Sequence, residues 1–114
     1  MKSHSYRLNN THVLALEGDM DSTARQDMTN LFAAMPANGN EVLLDLSQVS
    51  FIDSSGIESV VHLYKRLANQ ACYLHLVCQA GQPREIFRML QIDRSVPCYQ
   101  SVDDYVRGLT DGTI

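Results

Sequence analysis

Between residues 42 and 68 a buried-strand pattern gives way to a helical one, and the junction is Phe51-Ile52-Asp53-Ser54-Ser55-Gly56. Val42-Leu43-Leu44-Asp45-Leu46 is a short, mostly apolar run suited to a strand buried on both faces. Ile57, Val60, Val61, Tyr64 and Ala68, with Leu63 and Leu67 beside them, recur at helical spacing. An acid, two hydroxyls and a glycine therefore stand where a strand has ended and a helix must begin. Free backbone N–H groups and the positive end of the helix dipole favour an anion at such a junction. A phosphate on Ser54 or Ser55 suits that position.

The 114 residues predict one domain, spanning 1–114. With 45% hydrophobic residues the chain can bury a core without disulfides, since a domain of this size removes roughly 65% of its unfolded surface from water. Cys72, Cys78 and Cys98 are odd in number and lack a C-x-x-C pairing, so neither a disulfide framework nor a metal site is signalled. Cys72 and Cys78 share the parity of one strand-like run and read as small buried hydrophobes. The start, Met1-Lys2-Ser3-His4, has no apolar stretch behind it, which predicts a cytoplasmic protein without a membrane span. The net charge of −4 and the absence of a Lys/Arg cluster argue against direct nucleic-acid binding and point to protein partners.

Tyr6-Arg7-Leu8 and Val13-Leu14-Ala15-Leu16 flank Asn9-Asn10-Thr11 and predict an opening hairpin. Asp21 or Ser22 can cap a helix whose Ala24, Met28, Leu31, Phe32 and Met35 share a face, with Pro36 and Asn38-Gly39 ending it. Cys72 to Cys78 reads as a strand in which Leu74 and Leu76 alternate against Tyr73 and His75. Pro83 suits the first turn of a short helix through Ile86, Phe87 and Leu90. Val96 to Tyr99 is a weak last strand, and Ser101-Val102-Asp103-Asp104 resembles a capping box before Tyr105, Val106 and Leu109. The order β-β-α-β-α-β-α-β-α predicts an α/β domain: a mixed, mostly parallel sheet with about four helices packed against it.

Residues 44–56, Leu-Asp-Leu-Ser-Gln-Val-Ser-Phe-Ile-Asp-Ser-Ser-Gly, resemble the signature of STAS domains, specifically the bacterial anti-sigma factor antagonists. Gly18-Asp19-Met20-Asp21 is similar to that family's upstream Gly-Glu-Leu-Asp segment, and Arg84 to Leu90 falls where the family carries a short amphipathic helix. The likeness covers nearly the whole chain. It implies a small α/β domain with a sheet on one side and helices against it. It also implies a non-enzymatic role in partner switching. The unphosphorylated protein binds a serine kinase that doubles as an anti-sigma factor and frees that kinase's target. Phosphorylation of the first serine of the motif, Ser54 here, ends the binding, and a serine phosphatase of the PP2C type restores it. No cofactor is implied. After the glycine this chain carries Ile57-Glu58 where many members place small or apolar residues, adding a charge one turn from Ser54.

The resemblance makes Ser54 the phospho-acceptor, with Ser55 the runner-up. The expected partner-binding face comprises Asp21, Asp53, Ser54, Ser55, Gly56, Glu58, Ser59 and His62, the last two read from their helical spacing. Simpler roles stand beside these. Asp53 and Ser54 compete to cap the helix, Asp21 can serve as a cap, and Gly56 eases the turn or admits a partner's backbone. Ser59, His62, Arg66 and Asn69 form a polar stripe that is equally a solvated helix face. A scaffold role inside a transport or signalling complex, with Ser54 only a cap, is the alternative function. A serine hydrolase lacks support, because there is no G-x-S-x-G and His62 lies two turns along the helix from Ser54. A P-loop is absent. Acidic charge and modest size favour a monomer, with a homodimer left open.

Overall fold

The computed structural model describes residues 1–35 and 41–111, with side chains through residue 108. Pro36, Asn38-Gly39 and the side chain of Leu109 lie outside the described residues. The chain opens with the hairpin β1 (Lys2–Leu8) and β2 (Thr11–Glu17). Asn9, at φ 54°, supplies the left-handed conformation that a two-residue turn requires, so Thr11 belongs to the strand. A 3-10 turn (Ser22–Ala24) leads into α1 (Arg25–Ala33), followed by β3 (Glu41–Gln48) and α2 (Ser54–Asn69). Then come β4 (Tyr73–Val77), α3 (Gln82–Met89), a 3-10 turn at Ile92–Arg94, β5 (Cys98–Tyr99) and α4 (Val102–Asp111). The five strands lie in the order β1-β2-β3-β4-β5. Among the described residues β1 and β2 pair antiparallel and the other three pairings are parallel, which gives the expected mixed sheet.

Helices cover both faces of this sheet rather than one. Leu14, Leu44 and Leu76 point into a core shared with Met28 and Phe32 of α1, Val60, Leu63 and Leu67 of α2, and Phe87 of α3. Val13, Leu43 and Val77 alternate to the other face, where Tyr105 of α4 covers them. This second cover explains why β4 departs from simple alternation. Tyr73 is 68% exposed, but His75 is only 4% exposed because α4 closes over it. Its ring packs against Tyr105 and Tyr99 at centroid distances of 5.0 and 5.9 Å. Nε2 pairs with Glu41 Oε1 at 2.9 Å, so the buried imidazole keeps a polar partner.

Two further readings are adjusted by packing. On α2 the buried stripe is Gly56, Val60, Leu63 and Leu67, while Ile57, Val61 and Tyr64 flank it and Ala68 is exposed. The helix is rotated so that its glycine faces the core. On α3, Phe87 carries the burial, and Leu90, just past the helix end, is 54% exposed. Ser101 Oγ accepts from the Asp104 N–H at 3.0 Å and caps α4 as its sequence suggests, while the Asp104 carboxylate pairs with Arg107. No helix among the described residues is long and apolar enough to cross a membrane.

Two measurements test this packing. Tyr105 donates or accepts a 2.7 Å hydrogen bond with the buried Thr11 hydroxyl. Tyr105→Phe keeps the ring but strands that hydroxyl, and is expected to lower stability by about 1–3 kcal/mol. In urea the midpoint should fall with the slope unchanged. The thiols are expected to be inert: burial pushes Cys78 up to about 12 and Cys98 up to about 11. At pH 8 both should react slowly with a disulfide reagent until the protein is unfolded. Because the folded values are raised, their contribution to stability is whole below the ordinary thiol value of 9.0 and declines above it.

Candidate phosphoacceptor site at the start of α2

The approach to α2 is fixed from two sides. Ile52 and Met20 form a parallel bridge outside the main strands. Met20 N–H donates to the Phe51 carbonyl at 2.9 Å, and Asp53 N–H donates to the Met20 carbonyl at 3.1 Å. From the other side the Gln82 side chain imitates a neighbouring strand, accepting from Ile52 N–H at 2.9 Å and donating to its carbonyl at 2.8 Å. Both backbone groups of a fully buried residue are thereby satisfied. Gln82 carries no local signal in the sequence, since its role exists only once α3 is docked.

Asp53 takes the cap. Its Oδ1 accepts from Ser55 N–H at 2.8 Å and from Gly56 N–H at 3.3 Å, with the backbone extended as an N-cap requires. The competition between Asp53 and Ser54 is thus resolved. Ser54 becomes the first helical residue and is exposed. Ser55 turns inward, 5% exposed, and its Oγ accepts from Arg25 Nη2 at 2.7 Å. Arg25 Nη1 also lies 3.7 Å from Glu58 Oε2. Arg25 comes from α1 and was not among the residues that the motif singled out, because only the α1–α2 packing brings it here.

Gly56 has a packing role beyond easing the turn. A Cβ placed on it would stand 2.6 Å from the Met20 carbonyl oxygen, 2.9 Å from Met20 Cβ and 2.5 Å from Ile52 Cγ1. The absent side chain is what lets the β2–α1 connection lie directly on the helix. Asp21 follows the same bridge and caps the 3-10 turn, its Oδ1 accepting from Thr23 N–H at 3.0 Å and Thr23 Oγ at 2.6 Å. The Thr23 hydroxyl holds its carboxyl below the usual value. Asp21 and Asp53, each one residue past the Met20–Ile52 bridge, stand at the same edge.

The remaining candidates divide. Ser59 Oγ bonds back to the Ser55 carbonyl at 3.0 Å, and His62 is exposed beside it. Arg66 leaves the proposed polar stripe for a structural task, its Nη2 donating to the carbonyls of Phe32 and Met35 at 2.6 and 3.1 Å at the end of α1. Asn69 is exposed near the far end of α2. Between α1 and α2 runs an open cleft of about 280 Å³, with Arg25, Glu58, Ser59 and His62 at its polar wall and Phe32 and Leu63 among its apolar lining. Among the described residues no group of three or more His, Cys, Asp or Glu side chains could hold a metal ion.

This division of labour predicts an uneven mutational pattern. Asp53→Ala is expected to cost about 1 kcal/mol by removing the cap. Ser54→Ala should stay within about 0.5 kcal/mol of wild type, as an exposed first-turn residue should. Gly56→Ala should lose about 1–3 kcal/mol to overpacking, although alanine is the better helix former by about 1 kcal/mol. Urea unfolding of the three variants measures all of these together.

A STAS domain model matches residues 4–105. The fold is similar to an anti-sigma factor antagonist from Mycobacterium paratuberculosis, at 20% identity and TM-score 0.76, covering 94% of this chain and 92% of that one. It is similar to the anti-sigma factor antagonist SpoIIAA in its unphosphorylated form, at 21% identity and TM-score 0.70, covering 94% and 97%. A sulfate transporter family protein from Wolinella succinogenes shares the fold at 10% identity and TM-score 0.73, covering 90% and 88%. No curated protein sequence matches the chain. At these identities the structural likeness is one of fold, and the match over residues 4–105 carries the assignment: the chain belongs to the STAS domain family.

Proposed function

We propose that this protein is an anti-sigma factor antagonist that works in the cytoplasm by partner switching, with Ser54 as its phosphorylation site. The observation that carries this reading is the contrast between the paired serines. Ser54 is exposed on a rigidly placed first turn, while Ser55 is buried and held by Arg25. In the proposed reaction Ser54 Oγ attacks the γ-phosphorus of ATP on the partner kinase. The bond from that phosphorus to the bridging oxygen breaks, ADP leaves, and the hydroxyl proton passes to a base of the kinase. A phosphatase of the PP2C type then adds water across the phosphoserine bond, releasing inorganic phosphate and restoring the hydroxyl.

Unphosphorylated protein binds the kinase through the start of α2 and the adjoining face, with Asp21, Asp53, Ser55, Gly56, Glu58, Ser59 and His62 around Ser54. Phosphorylation adds about −1.5 to −2 charges at neutral pH. In an interface that dianion meets Asp53 and Asp21 and would have to lose water, at a cost of several kcal/mol unless paired. The helix end offers less relief than a bare terminus would, because Asp53 already occupies the N–H groups of Ser55 and Gly56. About 2.7 kcal/mol suffices for a hundredfold loss of affinity.

The likeness to a sulfate transporter family protein favours the scaffold alternative at the level of fold. That alternative gives Ser54 the task of capping α2, a task that Asp53 performs.

Affinity capture with Ser54→Ala and Ser54→Asp baits distinguishes the two. A serine kinase of the anti-sigma type should be retained by the alanine bait and bound about a hundredfold more weakly by the aspartate bait. The captured kinase should phosphorylate Ser55→Ala but not Ser54→Ala. The same partners on both baits, without a kinase, would support the scaffold.

A further inference from the structure

Arg25 crosses from α1 to the first turn of α2 and is held there by weak partners. One is the neutral hydroxyl of Ser55, at 2.7 Å, and the other is the Glu58 carboxylate, at 3.7 Å and beyond hydrogen-bond distance. The guanidinium side chain is 57% exposed, so moving it disturbs little packing. A phosphoryl group is a stronger acceptor than either partner, because a guanidinium binds it through two parallel charge-assisted hydrogen bonds. Ser54 is the neighbour of Ser55, with consecutive Cα atoms about 3.8 Å apart. A phosphate on it comes within the sweep of the Arg25 side chain.

The surroundings offer that phosphate little else. Asp53 Oδ1 accepts from Ser55 and Gly56 N–H, and Ile57 N–H donates to the Asp53 carbonyl. The charged side chains at the two helix starts, residues 21–27 and 53–58, are Asp21, Asp27, Asp53, Glu58 and Arg25; Asp27 is paired with the Met1 ammonium at 2.8 Å, which leaves Arg25 as the one cationic side chain of these two segments. His62 stands eight residues along α2, about 12 Å away by helical rise and beyond the screening length of about 8 Å at physiological salt.

We propose that Arg25 is the internal receptor for a phosphoryl group on Ser54, leaving Ser55 Oγ and Glu58 when that group is added. The proposal rests on Ser54 as the phosphoacceptor. It gives phosphorylation a second effect besides its own charge and bulk: the guanidinium is withdrawn from the mouth of the α1–α2 cleft, and Glu58 is left bare there. A partner that docks on Arg25 or its hydroxyl neighbour then meets a different surface, with the backbone unchanged.

The test places phosphoserine at position 54 by genetic encoding and follows its second ionisation by phosphorus NMR, in otherwise wild-type protein and in Arg25→Gln and Arg25→Lys. Because the phosphate is installed without a kinase, the result is independent of whether a kinase acts at Ser54, which the capture experiment decides. An opposite charge in contact favours the dianion, so the wild-type value is expected about one unit below that of Arg25→Gln, with Arg25→Lys between. Equal values in all three proteins would overturn the proposal. In the wild-type phosphoprotein the Arg25 Nε–H resonance should move with the phosphate titration, a reading that requires no variant. A resonance that stays still through the titration would equally overturn it.

Discussion

The site depends on how closely the β2–α1 connection can lie against the start of α2. Met20 and Ile52 are both fully buried and are joined by a parallel bridge beyond the ends of β2 and β3, after the register of that pair has shifted between Ala15 and Glu17. The bridge exists only because residue 56 has no side chain: a methyl group there would meet the Met20 carbonyl oxygen at 2.6 Å. Interiors packed at crystal-like density do not absorb such an overlap without moving backbone. Gly56 therefore sets the position of the 3-10 turn that carries Asp21 as well as of its own helix. The acids at positions 21 and 53 come together as a consequence of a packing requirement, before any partner is considered.

Around that contact the polar groups are allotted with little duplication. Asp53 satisfies two N–H groups of the helix end, Gln82 satisfies both backbone groups of Ile52, and Arg25 satisfies the hydroxyl of Ser55. A buried hydroxyl without a partner would cost about 1–3 kcal/mol, which explains why the inward serine is the one that engages a side chain from another helix. Ser54 is left on the outside with no such demand. Chemical accessibility of one serine thus follows from the structural use of its neighbour.

Much of this frame was legible in the sequence, because periodicity reports burial and burial fixes element type. The order of strands and helices, the apolar face of α1 and the proline at the start of α3 follow from local pattern alone. What was not legible is contact across elements. His75 has the parity of an exposed position and is buried by α4, an element 27 residues further on at its start. Arg25 and Gln82 look like ordinary surface residues until α1 and α3 are docked. Arg66 looks like part of a docking stripe and instead ties α2 to the end of α1. The meaning of Gly56 was visible as a turn-friendly residue, but its close approach to Met20 is a distance that no spacing rule encodes.

The same geometry limits how a phosphate on Ser54 could act. The core on the α2 side and the Tyr105 cluster under α4 lie on opposite faces of the sheet, and neither cluster includes Ser54. An exposed dianion interacts over about one screening length, roughly 8 Å at physiological salt, which spans the first turn of α2 and the neighbouring turn at Asp21 and little more. Repacking the core would demand several kcal/mol that a solvated surface charge does not deliver. The available effect is local: charge at the helix start, together with whatever side chains exchange partners there. A partner whose affinity changes a hundredfold must therefore cover Ser54 itself, where water is excluded and the local field is strong.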